Sequence, residues 1–210
     1  MIRITIADDH AIIRHGLKQI IEESGEMRVV AEADSGIDAL RKIRGIECDA
    51  VVLDIAMPDM SGIDVLKQIH AERPHLPILI LSIYSEDQYA VRLIRAGAAG
   101  YMTKESAPSE VVKALLRVAG GKKYISPVVA EILANEIGMD EDKLPHQILS
   151  DREYQIFLLL ASARTVSEIA DSLALSVKTV STYRSRILDK MHLNNNAELM
   201  RYAIDNHLAQ

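Results

Sequence analysis

Four apolar runs in the first 104 residues each stop at side chains able to do polar chemistry. Asp8 and Asp9 follow the first run. Asp54 follows Ala50, Val51, Val52 and Leu53; Ser82 follows Ile78, Leu79, Ile80 and Leu81; Thr103 and Lys104 follow the last. A strand-end aspartate taken alone is usually a cap or a loop-former, and Asp8 and Asp9 could simply cap the next helix. Brought together, the set has a different meaning. Two carboxylates about 4 Å apart repel by about 4 kcal/mol at an effective dielectric of 20, so three in one pocket require a cation. Hard oxygen donors select Mg²⁺ over zinc. A metal beside Asp54 would mask its charge from an anionic phosphoryl group, Lys104 would neutralise the remaining phosphoryl oxygens, and Ser82 would donate to them. The product of that chemistry is an aspartyl phosphate.

Bringing these residues together requires parallel strands. Strand patterns cover 2–7, 29–33, 50–53, 78–81 and 99–102, and helix patterns cover 10–23, 36–44, 63–70, 86–96 and 109–119. The flat apolar run before Asp54 fits a strand covered on both faces. Glycines 16, 25, 45, 97 and 100 mark turns or ends, and prolines 74, 77 and 108 mark boundaries. Five strand–helix units with right-handed crossovers imply one α/β doubly wound, five-stranded parallel sheet, whose ligands lie at the carboxyl edge.

The chain has 210 residues, nearly half of them apolar and about a quarter charged, as in ordinary globular proteins. No run approaches a membrane span of about 18 apolar residues, so no membrane partner is expected. The first residues enter a strand pattern without an export signal, and Cys48 is the only cysteine, which excludes an internal disulfide or cysteine metal cluster. A cytoplasmic location is expected. Residues 148–210 are neutral, so the first 147 carry the whole net charge of −6. Within the neutral part, residues 178–190 hold four cations against Asp189.

Beyond Gly120 and Gly121, Ser126 and Pro127 open a further helix pattern over 127–137. The acidic stretch 138–145 reads as a tether. Residues 1–121 therefore form a first domain, 122–147 a linker including a helix, and 148–210 a second, all-α domain of four helices. Ser150 and Glu153 form a capping box, and Ile156, Leu159 and Leu160 give the first of these helices its buried stripe. A second helix covers 166–173, a tight turn covers 174–176, and a third helix runs from Ser176 to Met191. The last helix begins at the cap Asn196. This is helix-turn-helix spacing. On the third helix Val177, Val180, Ile187, Leu188 and Met191 share one side. Lys178, Thr182 and Ser185 stand opposite, flanked by Ser181 and Arg186: a small, polar, cationic face suited to a major groove.

Asp8, Asp9, Asp54 with Met57 and Pro58, Ser82, and Tyr101 three residues before Lys104 together resemble the receiver (flavodoxin-like) domain of two-component response regulators. Leu149 to Glu153, Glu168 to Ala170, Leu175 with Ser176, Lys178 to Val180, and Lys190 with Met191 are similar to the LuxR-type helix-turn-helix. The two together have the layout of the NarL/FixJ family, and Ser181, Thr182, Tyr183 and Arg184 resemble its GacA/UvrY branch.

The resemblance implies that Asp54 accepts a phosphoryl group from a sensor histidine kinase. Asp9, Asp54 and the Ala56 carbonyl would bind Mg²⁺ directly, with Asp8 acting through water or as a further ligand. Lys104 and Ser82 would support the transfer, and Ser82 and Tyr101 would be the switch pair. Lys178, Thr179, Ser181, Thr182, Arg184, Ser185, Arg186 and Lys190 would contact double-stranded promoter DNA, with RNA polymerase a further partner. An active homodimer, paired through the last helices, would bind an inverted repeat. Bulky Tyr84, two residues past Ser82, implies slow loss of the phosphoryl group.

The sequence departs from the pattern in places. Glu105 stands where many receivers have a proline with a cis bond. Ala163 stands where the family usually has glycine, Tyr183 where many members have histidine, and Asn196 where many have arginine. An enzyme using Asp54 on free substrates would want a general acid two residues on, and Ala56 is there.

Overall fold

The computed structural model describes residues 1–136, 144–206 and 208. Most of the expected tether, 138–143, lies outside the described residues. The chain divides into two compact units, Met1–Leu133 and Ala134–Gln210.

The first unit alternates β1 (Ile2–Ala7), α1 (Ala11–Glu23), β2 (Met27–Ala33), α2 (Gly36–Gly45), β3 (Ala50–Leu53), α3 (Gly62–Glu72), β4 (Ile78–Ser82), α4 (Glu86–Arg95), β5 (Gly100–Thr103) and α5 (Pro108–Ala119). The five strands form one parallel sheet in the order β2-β1-β3-β4-β5. All four residues of β3 are buried, because helices cover both faces of the sheet. One face packs Ile4, Ile6, Val52, Leu79 and Leu81 against Leu17 and Ile21 of α1 and Val111 and Leu115 of α5. Strand order reverses between β1 and β3, the place where such folds hold ligands. Gly16 proves to lie inside α1 and not at a turn, an interior position that glycine tolerates at a modest loss of helix stability.

The first unit reaches past α5. The Tyr124 N–H donates to the Ala99 carbonyl at 2.8 Å, and Tyr124 pairs with Gly100 in a parallel bridge. The segment thus covers the outer edge of β5, a row of backbone groups that would otherwise stand unpaired. A further helix, α6 (Pro127–Glu136), follows. Its start belongs to the first unit, whereas the sequence pattern assigns it to a linker.

The second unit starts with a 3₁₀ turn, Pro145–Ile148, followed by α7 (Asp151–Ala161), α8 (Val166–Ser172), α9 (Val177–Met191) and α10 (Asn196–Asp205). Ser150, Thr165, Ser176 and Asn195 cap the four helices with side-chain oxygens, and the Ser150 and Thr165 caps are reciprocated by Glu153 and Glu168. The last cap is therefore Asn195, one residue before the expected Asn196, whose side-chain oxygen instead accepts from Arg184 Nε at 2.6 Å. The central helix α7 is buried continuously from Glu153 to Ala161, wider than its apolar stripe predicts, because α8, α9 and α10 all pack on it. Val177, the first residue of α9, is half exposed and not on the buried side, whereas Val180 one turn on is fully buried.

Candidate functional site

Parallel register sets the site. Ala7 of β1 lies level with Leu53 of β3, so Asp8 and Asp54 leave adjacent strands side by side. The Asp54 N–H donates to the Ala7 carbonyl at 2.8 Å. Both aspartates are 2% exposed. Lys104 Nζ lies 2.7 Å from Asp8 Oδ2 and 2.7 Å from Asp54 Oδ2. It arrives from β5 because the Lys104 N–H bonds to the Ser82 carbonyl at 2.7 Å, which holds the start of its loop against β4. The second oxygens are held locally: Asp8 Oδ1 accepts from the His10 N–H at 2.8 Å and Asp54 Oδ1 from the Ala56 N–H at 3.3 Å.

Close packing under Asp54 fixes its position. A Cβ on Gly62 would stand 1.9 Å from the Asp54 carbonyl oxygen, so only glycine lets the start of α3 lie this close. The Gly62 N–H in turn donates to the Ile55 carbonyl at 3.0 Å.

Asp9 is more open, and its Oδ1 lies 2.7 Å from His10 Nδ1. Donor atoms of Asp8, Asp9, His10 and Asp54 all lie within 4.8 Å of one another. His10 is the N-cap of α1, as its sequence position indicates, yet its ring also reaches the acidic cluster. That approach depends on a rotamer, which spacing does not reveal. Burial, reinforced by the charge of Asp8, raises the Asp54 carboxyl above its usual range, and Lys104 offsets this only in part. Burial pulls the Lys104 ammonium down, but its hydrogen bonds to Asp54 and Asp8 outweigh that and leave it raised.

Ser82 is fully buried, and its Oγ accepts from the Tyr84 N–H at 3.3 Å. Tyr101 is 1% exposed, not the half-buried strand aromatic that its position alone suggests. Its hydroxyl donates to the Tyr84 carbonyl at 2.8 Å. Burial holds that hydroxyl well above its ordinary range, and a hydrogen bond with Ser82 offsets part of the rise. The Tyr101 ring therefore already lies inward. None of the described peptide bonds is cis, as Glu105 in place of proline implies.

On α9 the structure sorts the expected DNA-facing residues. Lys178, Ser181, Thr182, Ser185, Arg186 and Lys190 are exposed. Thr182 and Ser185 donate to the carbonyls of Lys178 and Ser181, which keeps their side chains low on the helix. Thr179 is partly covered, its hydroxyl 2.8 Å from that of Ser176, and Arg184 leans onto Asn196. Lys190 Nζ lies 2.7 Å from Glu153 Oε2. It thereby ties α9 to α7, a contact between residues 37 apart that periodicity along one helix does not disclose.

A family model described as the response regulator receiver domain matches residues 4–116. A second, for the luxR family of bacterial regulatory proteins, matches residues 147–203. The response regulator GacA of Pseudomonas viridiflava is 37% identical over 205 residues, covering 97% of this chain and 96% of that one. The response regulator UvrY of Escherichia coli K12 is 35% identical, covering 97% and 94%. Among solved structures, RcsB from Salmonella enterica serovar Typhimurium, bound to the promoter rprA in the presence of a beryllium fluoride phosphomimetic, is 25% identical with a TM-score of 0.67, covering 96% of this chain and 97% of that one. The chain belongs to the two-component response regulators that join a receiver to a LuxR-type DNA-binding domain, in the NarL/FixJ family and its GacA/UvrY branch.

Proposed function

We propose that phosphorylation of Asp54 by a sensor histidine kinase switches this regulator's binding to promoter DNA. The observation that carries the reading is Lys104 held at 2.7 Å from both Asp8 and Asp54 in a buried corner. Asp54 Oδ attacks the phosphorus of a phosphohistidine, the P–N bond breaks, and the imidazole leaves with a proton. Lys104 then has a phosphoryl oxygen to pair with, and Ser82 Oγ supplies a hydroxyl donor. Tyr101 is already inside, so the movement left to phosphorylation belongs to the 82–86 segment. Tyr84 lies within this segment, its ring against that of Tyr89, and its bulk two residues past Ser82 would slow entry of water: Tyr84→Ala is expected to shorten the phosphoryl lifetime several-fold, and an unchanged dephosphorylation rate would refute that role.

The donor set fits Mg²⁺. Three carboxylates against one ammonium leave two negative charges, and the donors are mostly hard oxygens. Asp8, Asp9, Asp54 and the Ala56 carbonyl would hold the ion, which would mask the charge of Asp54 from the incoming phosphoryl group. His10 donates only one ring nitrogen to this corner, and a hard divalent ion favours the carboxylates.

The RcsB neighbour is described as bound to promoter DNA, and by analogy α9 of this chain enters the major groove. Lys178, Ser181, Thr182, Ser185 and Arg186 would face the DNA. Thr179 and Arg184 would stand at its margins, while Lys190 serves the fold through Glu153. One neutral domain binds weakly, so pairing of two copies through their last helices on an inverted repeat multiplies affinity. RNA polymerase is the next partner at such a promoter. The test is selection of genomic fragments by the full chain with and without acetyl phosphate and Mg²⁺. Wild type is expected to bind a defined set more tightly when phosphorylated, and Asp54→Ala to show no response. Equal binding under both conditions by wild type would contradict the reading.

A further inference from the structure

The described contacts connect the Ser82 corner to α6 by a short, continuous route. Tyr84 is held from both sides, its N–H on Ser82 Oγ and its carbonyl under the Tyr101 hydroxyl. Two residues later Glu86 opens α4. Its carboxylate accepts a hydrogen bond from Ser126 Oγ. The same oxygen of Ser126 accepts from the Val129 N–H at 3.2 Å and so caps the first turn of α6, the role that Ser126 followed by Pro127 predicts. Val129 behind it is 1% exposed. The segment between α5 and Ser126 is fastened separately, through Tyr124 on Ala99 and through Arg117 Nε on the Lys123 carbonyl at 2.8 Å. A Cβ on Gly100 would come within 2.9 Å of Tyr124, so this segment lies tight on the edge of β5. Its far end meets the one stretch, 82–86, that starts at the buried serine. Burial raises the hydroxyls of both Tyr101 and Tyr124, with Asp54 the next raising charge for the first and Glu110 for the second, and Glu86 adds to both.

We infer that the Glu86–Ser126 hydrogen bond is the latch through which the state of Asp54 reaches α6, the helix that leads toward the DNA-binding unit. The inference rests on the phosphorylation reading above and adds its route. Drawing Ser82 toward a phosphoryl group pulls on Tyr84 and Ser85, and Glu86 follows because it is the first residue of a helix. The Ser126 hydroxyl then loses or re-forms its bond, and the first turn of α6 loosens or tightens with it. Coupling of this kind needs an element with two arrangements, and 83–86 is that element.

A plain helix cap would show the same Ser126 geometry, so the test must spare the cap. Glu86→Ala removes the partner across the gap and leaves Ser126 to cap α6, while Glu86→Gln keeps an acceptor oxygen. Amide hydrogen exchange over 127–133 is measured in the full chain before and after acetyl phosphate with Mg²⁺, with intact mass confirming phosphoryl uptake. Wild type and Glu86→Gln are expected to change exchange in the first turns of α6 by on the order of tenfold, the scale of one hydrogen bond to a charged acceptor. Glu86→Ala is expected to take up the phosphoryl group equally and to show no such change. Phosphorylated wild type with unaltered exchange over 127–133, or Glu86→Ala responding as wild type does, overturns the latch and leaves the phosphorylation reading intact. Absence of phosphoryl uptake by wild type removes that reading, and the latch with it.

Discussion

Each unit sets a lysine 2.7 Å from a buried carboxylate, but Lys104 is itself buried whereas Lys190 reaches Glu153 from the surface, and the two corners differ in charge. Lys104 faces two buried carboxylates that approach from different strands, with a third acid nearby, so the corner remains short of positive charge. Glu153 is the reverse. Its Oε2 accepts from the Ser150 N–H and Oγ at 2.8 Å each and from Lys190 at 2.7 Å, leaving no charge to attract a ligand. Burial pushes Glu153 up, but these bonds outweigh it and hold the carboxyl below its ordinary value of 4.5. A lysine on a buried carboxylate therefore says little by itself about function. The difference lies in whether the charges balance.

The two units also close their helices differently. After α4 and α5, an N–H reaches back five residues, from Ala98 to Leu93 and from Lys122 to Arg117, with Gly97 and Gly121 taking the left-handed position. The second unit makes the same closure from Arg164 to Leu159, Leu175 to Ala170 and Leu193 to Leu188, but with Ala163, Ala174 and His192 at positive φ. Glycine takes this conformation freely and alanine does not. The second unit thus carries backbone strain at helix ends where α4 and α5 use glycine, although Asp59 in the first unit also takes a positive φ.

Substitutions can break this contrast or sharpen it. Gly62→Ala should have the largest effect. Its methyl meets the Asp54 backbone at 1.9 Å, so about 3 kcal/mol of stability should be lost, together with phosphoryl uptake, read by urea unfolding and intact mass. A stable, fully phosphorylated variant would show that the floor of the pocket is not rigid. Lys190→Ala should cost about 1 kcal/mol, since Lys190 is exposed and solvent screens its pair with Glu153, which keeps both Ser150 donors, and it should leave phosphoryl uptake unchanged. The pH dependence follows from the sign of the shift. A depressed carboxyl contributes stability above its unfolded value of 4.5 and loses it as pH falls through the lower folded value. The gap between wild type and Lys190→Ala should therefore be full at neutral pH and narrow below 4.5. A gap independent of pH would mean that Lys190 acts through packing alone. Of similar size and opposite sign is Ala163→Gly, expected to add about 1 kcal/mol and raise the melting temperature by about 4 °C. No gain would mean that the left-handed turn is not strained.

The first unit was legible because topology does the placing. Once five strands run parallel, their carboxyl ends share one edge, and Asp8, Asp54, Ser82 and Lys104 follow without knowledge of any rotamer. Strand and helix limits differ from the pattern by at most two residues in most elements. What could not be read depends on distant partners. Lys190 finds Glu153 across 37 residues, and α7 is buried on every side because three helices surround it. Tyr124 and Ser126 dock on the receiver through one backbone bond and one hydroxyl, which leave no periodic trace. Asn195 and Asn196 are equally good caps on paper, and the neighbouring Arg184 decides between them by occupying the second. The left-handed turn at Ala163 was legible only from the resemblance, since alanine itself gives no turn signal.

The central claim is that Asp54 accepts a phosphoryl group in the corner closed by Lys104. Intact mass after incubation with acetyl phosphate and Mg²⁺ tests it directly. Wild type should gain a single phosphoryl group, losing the gain when the metal is chelated, and Asp54→Ala should gain none. Equal labelling of Asp54→Ala, or no labelling of wild type, would contradict the account.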